Sequence, residues 1–126
     1  MGQKHRILIV DDDTLYAEVL KIQLEKTGAY EVKTVAHAQL VVAAAREFGP
    51  QLILLDIMMP EQDGGEIAAQ LAQDERLQDI PVVFLTSAVT RAEMAEKGGL
   101  VAGRRILAKP VGEQELVDTI QKYLKK

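Results

Sequence analysis

ILIVDDDT, residues 7–14, joins four consecutive apolar residues to three consecutive aspartates and a threonine. A short run as apolar as Ile7–Val10 reads as a strand covered on both faces, since a half-exposed strand would alternate with polar residues. Asp11, Asp12 and Asp13 then stand where that strand emerges. Adjacent carboxylates repel one another and resist desolvation, so their placement at the end of a buried element calls for a cation.

Working outward, strand-like runs recur at Glu31–Val35, Leu52–Leu55, Val82–Leu85 and Arg105–Leu107. LILL at 52–55 is again continuously apolar. Helical patterns lie between the runs. Leu15, Val19 and Ile22, with Tyr16, Leu20 and Leu24, predict one broad apolar face, and Gly28 stands where a left-handed cap would end that helix. Leu116, Ile120, Tyr123 and Leu124 repeat the pattern near the end of the chain, while Gly49-Pro50 and Pro81 mark approaches to strands. Strand–helix alternation with short connections implies parallel strands joined by right-handed crossovers, hence a five-stranded doubly wound α/β sheet. In such sheets ligands sit beyond the carboxyl ends of the strands.

The 126 residues are expected to form a single domain, residues 1–126, with no output domain in this chain. Uncharged apolar-rich stretches such as Ala36 to Ala45 are far shorter than the roughly 20 residues a membrane span needs. MGQKHR is polar and runs straight into a strand, unlike a secretory signal. There is no cysteine for a disulfide or thiolate metal site, which fits a cytoplasmic location. A net charge of −4 argues against direct nucleic-acid binding. Lys122, Lys125 and Lys126 form a basic cluster, read as complementing the last helix's dipole opposite Glu113 and Glu115.

The chemistry-bearing residues fall together in this topology. Asp11–Asp13 follow the first strand, Asp56 the third, Thr86 closes the fourth and Lys109 follows the fifth, all at one sheet edge. Converging carboxylates suit a hard cation such as Mg²⁺. Lys109 adds a point charge able to attract a phosphoryl group, and Thr86 a hydroxyl. Carboxylates can accept phosphoryl groups as acyl phosphates, so metal plus lysine around Asp56 points to phosphoryl transfer.

With Asp11-Asp12, the run DIMMPEQDG from Asp56 to Gly64, Thr86-Ser87 and Lys109-Pro110 in this order, the whole chain resembles the receiver domains of two-component response regulators, of the chemotaxis-regulator kind. The resemblance implies a flavodoxin-like strand order 2-1-3-4-5 with helices on both faces. It implies Asp56 as phosphoacceptor, attacking a phosphohistidine on a sensor histidine kinase or phosphotransfer protein. Asp12 would ligate Mg²⁺ (or Mn²⁺) directly, Asp11 mainly through water, and Met58 through its backbone carbonyl. Thr86 would bond a phosphoryl oxygen, Lys109 would pair with the phosphoryl group, and the bond before Pro110 would be cis. Asp13 would start the first helix rather than bind metal. The protein would then be a signalling switch that assists its own phosphorylation and dephosphorylation: a stand-alone receiver, a relay member, or part of a larger regulator, acting on a downstream protein.

Two features depart from the family pattern. Receivers usually carry Tyr or Phe three residues before the lysine, and here Ile106 occupies that position. Gly98-Gly99 and Gly103 bracket Leu100-Val101-Ala102, and glycine costs a helix up to about 1 kcal/mol relative to alanine. A short helix over Thr90–Lys97 is therefore expected, followed by a segment that is mobile or reordered by a partner. HAQLVVAAA, 37–45, has no formally charged residue and predicts alanine-rich packing on the sheet; the alternative is a homodimer or partner surface using Leu40, Val41 or Val42. His5 and His37 lie outside the site, and Asp63-Gly64 reads as the turn before the third helix.

Two competing functions share some of these residues. A haloacid-dehalogenase-type phosphatase would use Asp11 as nucleophile, but its D-x-D-x-T pattern is broken because Thr14 arrives one residue early. A flavodoxin-like cofactor binder lacks its phosphate-loop glycines here.

Overall fold

The computed structural model describes residues 4–87, 100–101 and 104–124. Along the chain run β1 (His5–Val10), α1 (Thr14–Glu25), β2 (Tyr30–Val35), a 3₁₀ turn (Ala38–Leu40), α2 (Val41–Phe48), β3 (Leu52–Asp56) and α3 (Gly64–Ala72). Then follow β4 (Val82–Thr86), β5 (Leu100–Val101), β6 (Arg104–Ala108) and α4 (Glu113–Leu124). The sheet order is β2-β1-β3-β4-β6-β5. Its five long strands pair in parallel, in the order 2-1-3-4-5 that the family resemblance implied.

β5 was not expected. Leu100 and Val101 pair antiparallel with Arg105 and Arg104, adding a two-residue strand at the sheet edge. These residues belong to the segment expected to be mobile or reordered by a partner; in the structure their backbone pairs with β6. The helix expected over Thr90–Lys97 lies outside the described residues.

Alternation along each strand divides the core in two, because successive side chains leave a strand on opposite faces. Leu8 and Val10 pack with Ile53, Leu55, α2 and α3 on one face. Ile7 and Ile9 pack with Leu52, Leu54, α1 and α4 on the other. Ile7–Val10 and Leu52–Leu55 are all fully buried, which is why neither run has a polar alternate.

The helices are narrower than their sequence faces suggest. In α1, Ala17, Leu20 and Leu24 are buried, but Leu15, Val19 and Ile22 are 80%, 48% and 58% exposed. The expected broad face therefore splits into a core half and a solvent half. In α2, Val41 and Ala45 are fully buried and Leu40 is 51% exposed. Val41 is thus a core residue and unavailable to a partner surface, while Val42 is half-buried against the core.

Gly28 has φ +80°, the left-handed conformation expected after α1. Asp63 caps α3 by accepting from the Glu66 amide at 2.9 Å, and Glu66 returns a bond to the Asp63 amide at 3.3 Å. Asp63 thus lies at the turn before the third helix, as expected, and caps that helix. Among the described residues no helix is long and apolar enough to cross a membrane.

Candidate functional site

β1, β3, β4 and β6 run parallel, so their carboxyl ends open onto one edge of the sheet. Asp11 directly follows β1, Asp56 ends β3, Thr86 ends β4 and Lys109 directly follows β6. Strand pairing continues into the loops and fixes these exits: the Asp11 amide donates to the Val35 carbonyl, the Ile57 amide to Leu85, and the Lys109 amide to Thr86, at 2.9–3.0 Å. The Lys109–Pro110 bond is cis, as expected.

Three of these polar side chains are buried: Asp11, Asp56 and Thr86. Lys109 Nζ lies 2.6 Å from Asp11 Oδ2 and 3.4 Å from Asp56 Oδ2, with its side chain only 14% exposed. The Met58 amide donates to Asp56 Oδ1 at 3.1 Å, and the Asp13 amide to Asp11 Oδ1 at 2.9 Å. Each buried carboxylate thus has one oxygen held by a loop amide and the other facing the lysine.

Burial raises the Asp56 carboxyl above the usual carboxylate range; the Met58 amide opposes this, the Asp11 charge reinforces it, and Lys109 offsets part of it. For Lys109, burial alone would lower the pKa, but the Asp11 and Asp56 carboxylates outweigh it and hold the ammonium above its ordinary value. The ammonium is therefore firmly charged.

One carboxylate oxygen from each of Asp11, Asp12 and Asp56 lies within 4.8 Å of the others. Asp11 Oδ2 is buried, and its neighbour is the Lys109 ammonium. Clustered hard oxygens from three carboxylates, two of them buried, fit a divalent cation of the Mg²⁺ kind. Asp12 is exposed and leaves this cluster open to solvent on one side. Asp13 is engaged in the helix start: its Oδ1 accepts from the Tyr16 amide at 3.1 Å and caps α1.

Met58 is 62% exposed, so its side chain lies largely in solvent while its amide orients Asp56. Ile106 is 2% exposed and packs in the core with Phe84, so the position three residues before Lys109 presents no side chain to solvent. His37 Nδ1 meets Glu61 Oε2 at 3.3 Å, an exposed pair apart from the buried carboxylates.

Two contributors escaped sequence reasoning. Gly64 read as a turn residue, yet a Cβ there would stand 2.8 Å from Ile57 Cα and 2.9 Å from the Asp56 carbonyl oxygen. The start of α3 packs directly on the Asp56–Ile57 backbone, and only glycine leaves that room. Tyr16 read as part of an apolar face, yet its hydroxyl accepts from the Val111 amide at 3.0 Å. Its ring centroid lies 5.1 Å from Lys109 Nζ. A lone tyrosine at a helical apolar position carries no signal for a partner 95 residues away.

Comparison with known proteins gives a consistent result. Residues 7–121 match the response regulator receiver domain model. The chain is 34% identical over 121 residues to the DNA-binding dual master transcriptional regulator RpaA of Synechocystis, covering 96% of this chain but only 49% of that protein. It is 32% identical over 120 residues to the polar-differentiation response regulator DivK of Brucella ovis, covering 94% of each. Among solved structures it resembles the chemotaxis protein CheY4 of Vibrio cholerae, with a TM-score of 0.82 and 26% identity over 97% of this chain and all of the other.

Proposed function

The chain belongs to the response regulator receiver domain family of two-component signalling, and we propose that it is a switch that takes a phosphoryl group onto Asp56. The observation that carries this reading is the buried Asp56 carboxylate, with Asp11 and Asp12 oxygens within 4.8 Å and the Lys109 ammonium at 3.4 Å. A nucleophile, a metal-binding pair and a fixed cation thus face one point.

In this reading an Asp56 carboxylate oxygen attacks the phosphorus of a phosphohistidine on a sensor kinase or phosphotransfer protein. A P–O bond forms, the P–N bond breaks, and the imidazole leaves with its electron pair. The Met58 amide, on Asp56 Oδ1, orients the carboxylate. Lys109 faces Asp56 Oδ2 and compensates the negative charge arriving there. Thr86, buried at the end of β4, would bond a phosphoryl oxygen through its hydroxyl. Asp11, Asp12 and Asp56, with the Met58 carbonyl, would hold Mg²⁺ or Mn²⁺, which when bound neutralises charge on the phosphoryl oxygens. Residues 1–126 would act as one receiver unit in the cytoplasm, passing its state to a downstream protein.

The test is intact mass after incubation with Mg²⁺ and a small acyl phosphate, alongside Asp56→Asn and Asp11→Asn. One added phosphoryl group, lost without metal and in Asp56→Asn, is the expected result. An adduct that survives in Asp56→Asn but vanishes in Asp11→Asn would overturn it in favour of the dehalogenase-type reading.

A further inference from the structure

We propose that Tyr16 is a positioning residue for Lys109, reaching from α1 to grip the turn that carries the lysine. The inference rests on the reading of Lys109 as the cation facing the phosphoryl group.

Two parts of one side chain make the grip. The Tyr16 hydroxyl oxygen accepts from the Val111 amide at 3.0 Å, fixing the backbone just past Lys109-Pro110. Its ring faces the Lys109 ammonium, 5.1 Å from centroid to Nζ, inside the range where a cation is attracted to a π-face. A lysine stem is long and flexible, so an unsupported ammonium would spread over many rotamers. Here it is bounded by a ring and by two carboxylates, at 2.6 and 3.4 Å.

Tyr16 is itself held by the acidic loop. The Asp13 amide donates to Asp11 Oδ1, and Asp13 Oδ1 accepts from the Tyr16 amide. The contacts therefore close a circuit: Asp11 to Asp13, Asp13 to Tyr16, Tyr16 to the Val111 turn and Lys109, and Lys109 back to Asp11. Both ends of the circuit are groups that meet at Asp56. The tyrosine is half-buried against the core shared by α1 and α4, so the ring cannot swing freely. Burial also raises its hydroxyl pKa, keeping the group neutral while the Val111 amide and Lys109 pull the other way.

The experiment compares initial phosphorylation rates from a small acyl phosphate at saturating Mg²⁺ in wild type, Tyr16→Phe and Tyr16→Leu. The two variants are also made with Lys109→Gln, which removes the cation. Phe keeps the ring and loses the hydroxyl, so a loss of about three- to tenfold is expected, with a larger loss for Leu. In the Lys109→Gln background, Tyr16→Phe should change the rate by under about twofold, because the cation being aimed is gone. An unchanged rate in Tyr16→Phe, or an equal loss in both backgrounds, would overturn the proposal. If Tyr16→Leu fails to fold, the near-isosteric Phe variant decides. If wild type takes no phosphoryl group, the phosphoacceptor reading fails. The ¹⁵N resonance of the Lys109 ammonium then judges the grip: it must move in Tyr16→Phe, and a resonance that stays in place overturns the proposal.

Discussion

Lys109 Nζ stands closer to Asp11 Oδ2, at 2.6 Å, than to Asp56 Oδ2, at 3.4 Å. The lysine is engaged mainly with Asp11, a proposed metal ligand, and only secondarily with the proposed phosphoacceptor Asp56. A phosphoryl group on Asp56 would compete with Asp11 for the same ammonium. Loss of the Lys109–Asp11 contact is therefore expected when Asp56 is modified.

Removing the cation should expose what it holds. Lys109→Ala leaves the buried Asp11 and Asp56 carboxylates facing each other without compensation. The variant should lose about 2–4 kcal/mol of stability without metal, and recover much of that with Mg²⁺. Urea unfolding with and without the ion measures both.

Asp56→Asn should have the opposite effect on the metal-free protein. Burial holds the Asp56 carboxyl above its usual pKa, so the folded state binds that proton more readily than the unfolded chain. The stability Asp56 contributes is present in acid and is lost as pH rises through the folded-state pKa. At neutral pH the variant should melt a few degrees above wild type, and the gap should close as the solution is acidified. Thermal melts across that range check the sign.

Gly64→Ala places a methyl group against backbone atoms at 2.8 and 2.9 Å, which cannot move aside as a flexible side-chain tip could. A loss of about 1–3 kcal/mol is expected, with weaker Mg²⁺ binding because the displaced atoms belong to Asp56 and Ile57. The chain has three tyrosines and no tryptophan, so tyrosine emission can follow both unfolding and the metal titration.

The two faces of α1 should respond differently. Leu20 is 1% exposed and Leu15 is 80% exposed. Leu20→Ala should cost about 2–5 kcal/mol. Leu15→Ala should change stability by no more than about 0.5 kcal/mol. Denaturation midpoints of the pair test whether the helix face divides as the structure shows.

The sequence by itself determined the sheet, because runs such as Ile7–Val10 and Leu52–Leu55 have no polar alternate and are stable only when covered on both faces. It also determined which residues share the sheet edge, since parallel strands must deliver Asp11, Asp56, Thr86 and Lys109 to the same end. Helical periodicity showed which residues of α1 lie on one side, but not where the core stops and solvent begins. That boundary depends on neighbours supplied by the sheet and α4. The tie of Tyr16 to Val111 and the room that only Gly64 leaves each depend on backbones whose meeting no local pattern encodes. Tertiary structure decided these because a hydrogen-bond partner or a steric limit exists only once the chain has brought two distant backbones to within a few ångströms of each other.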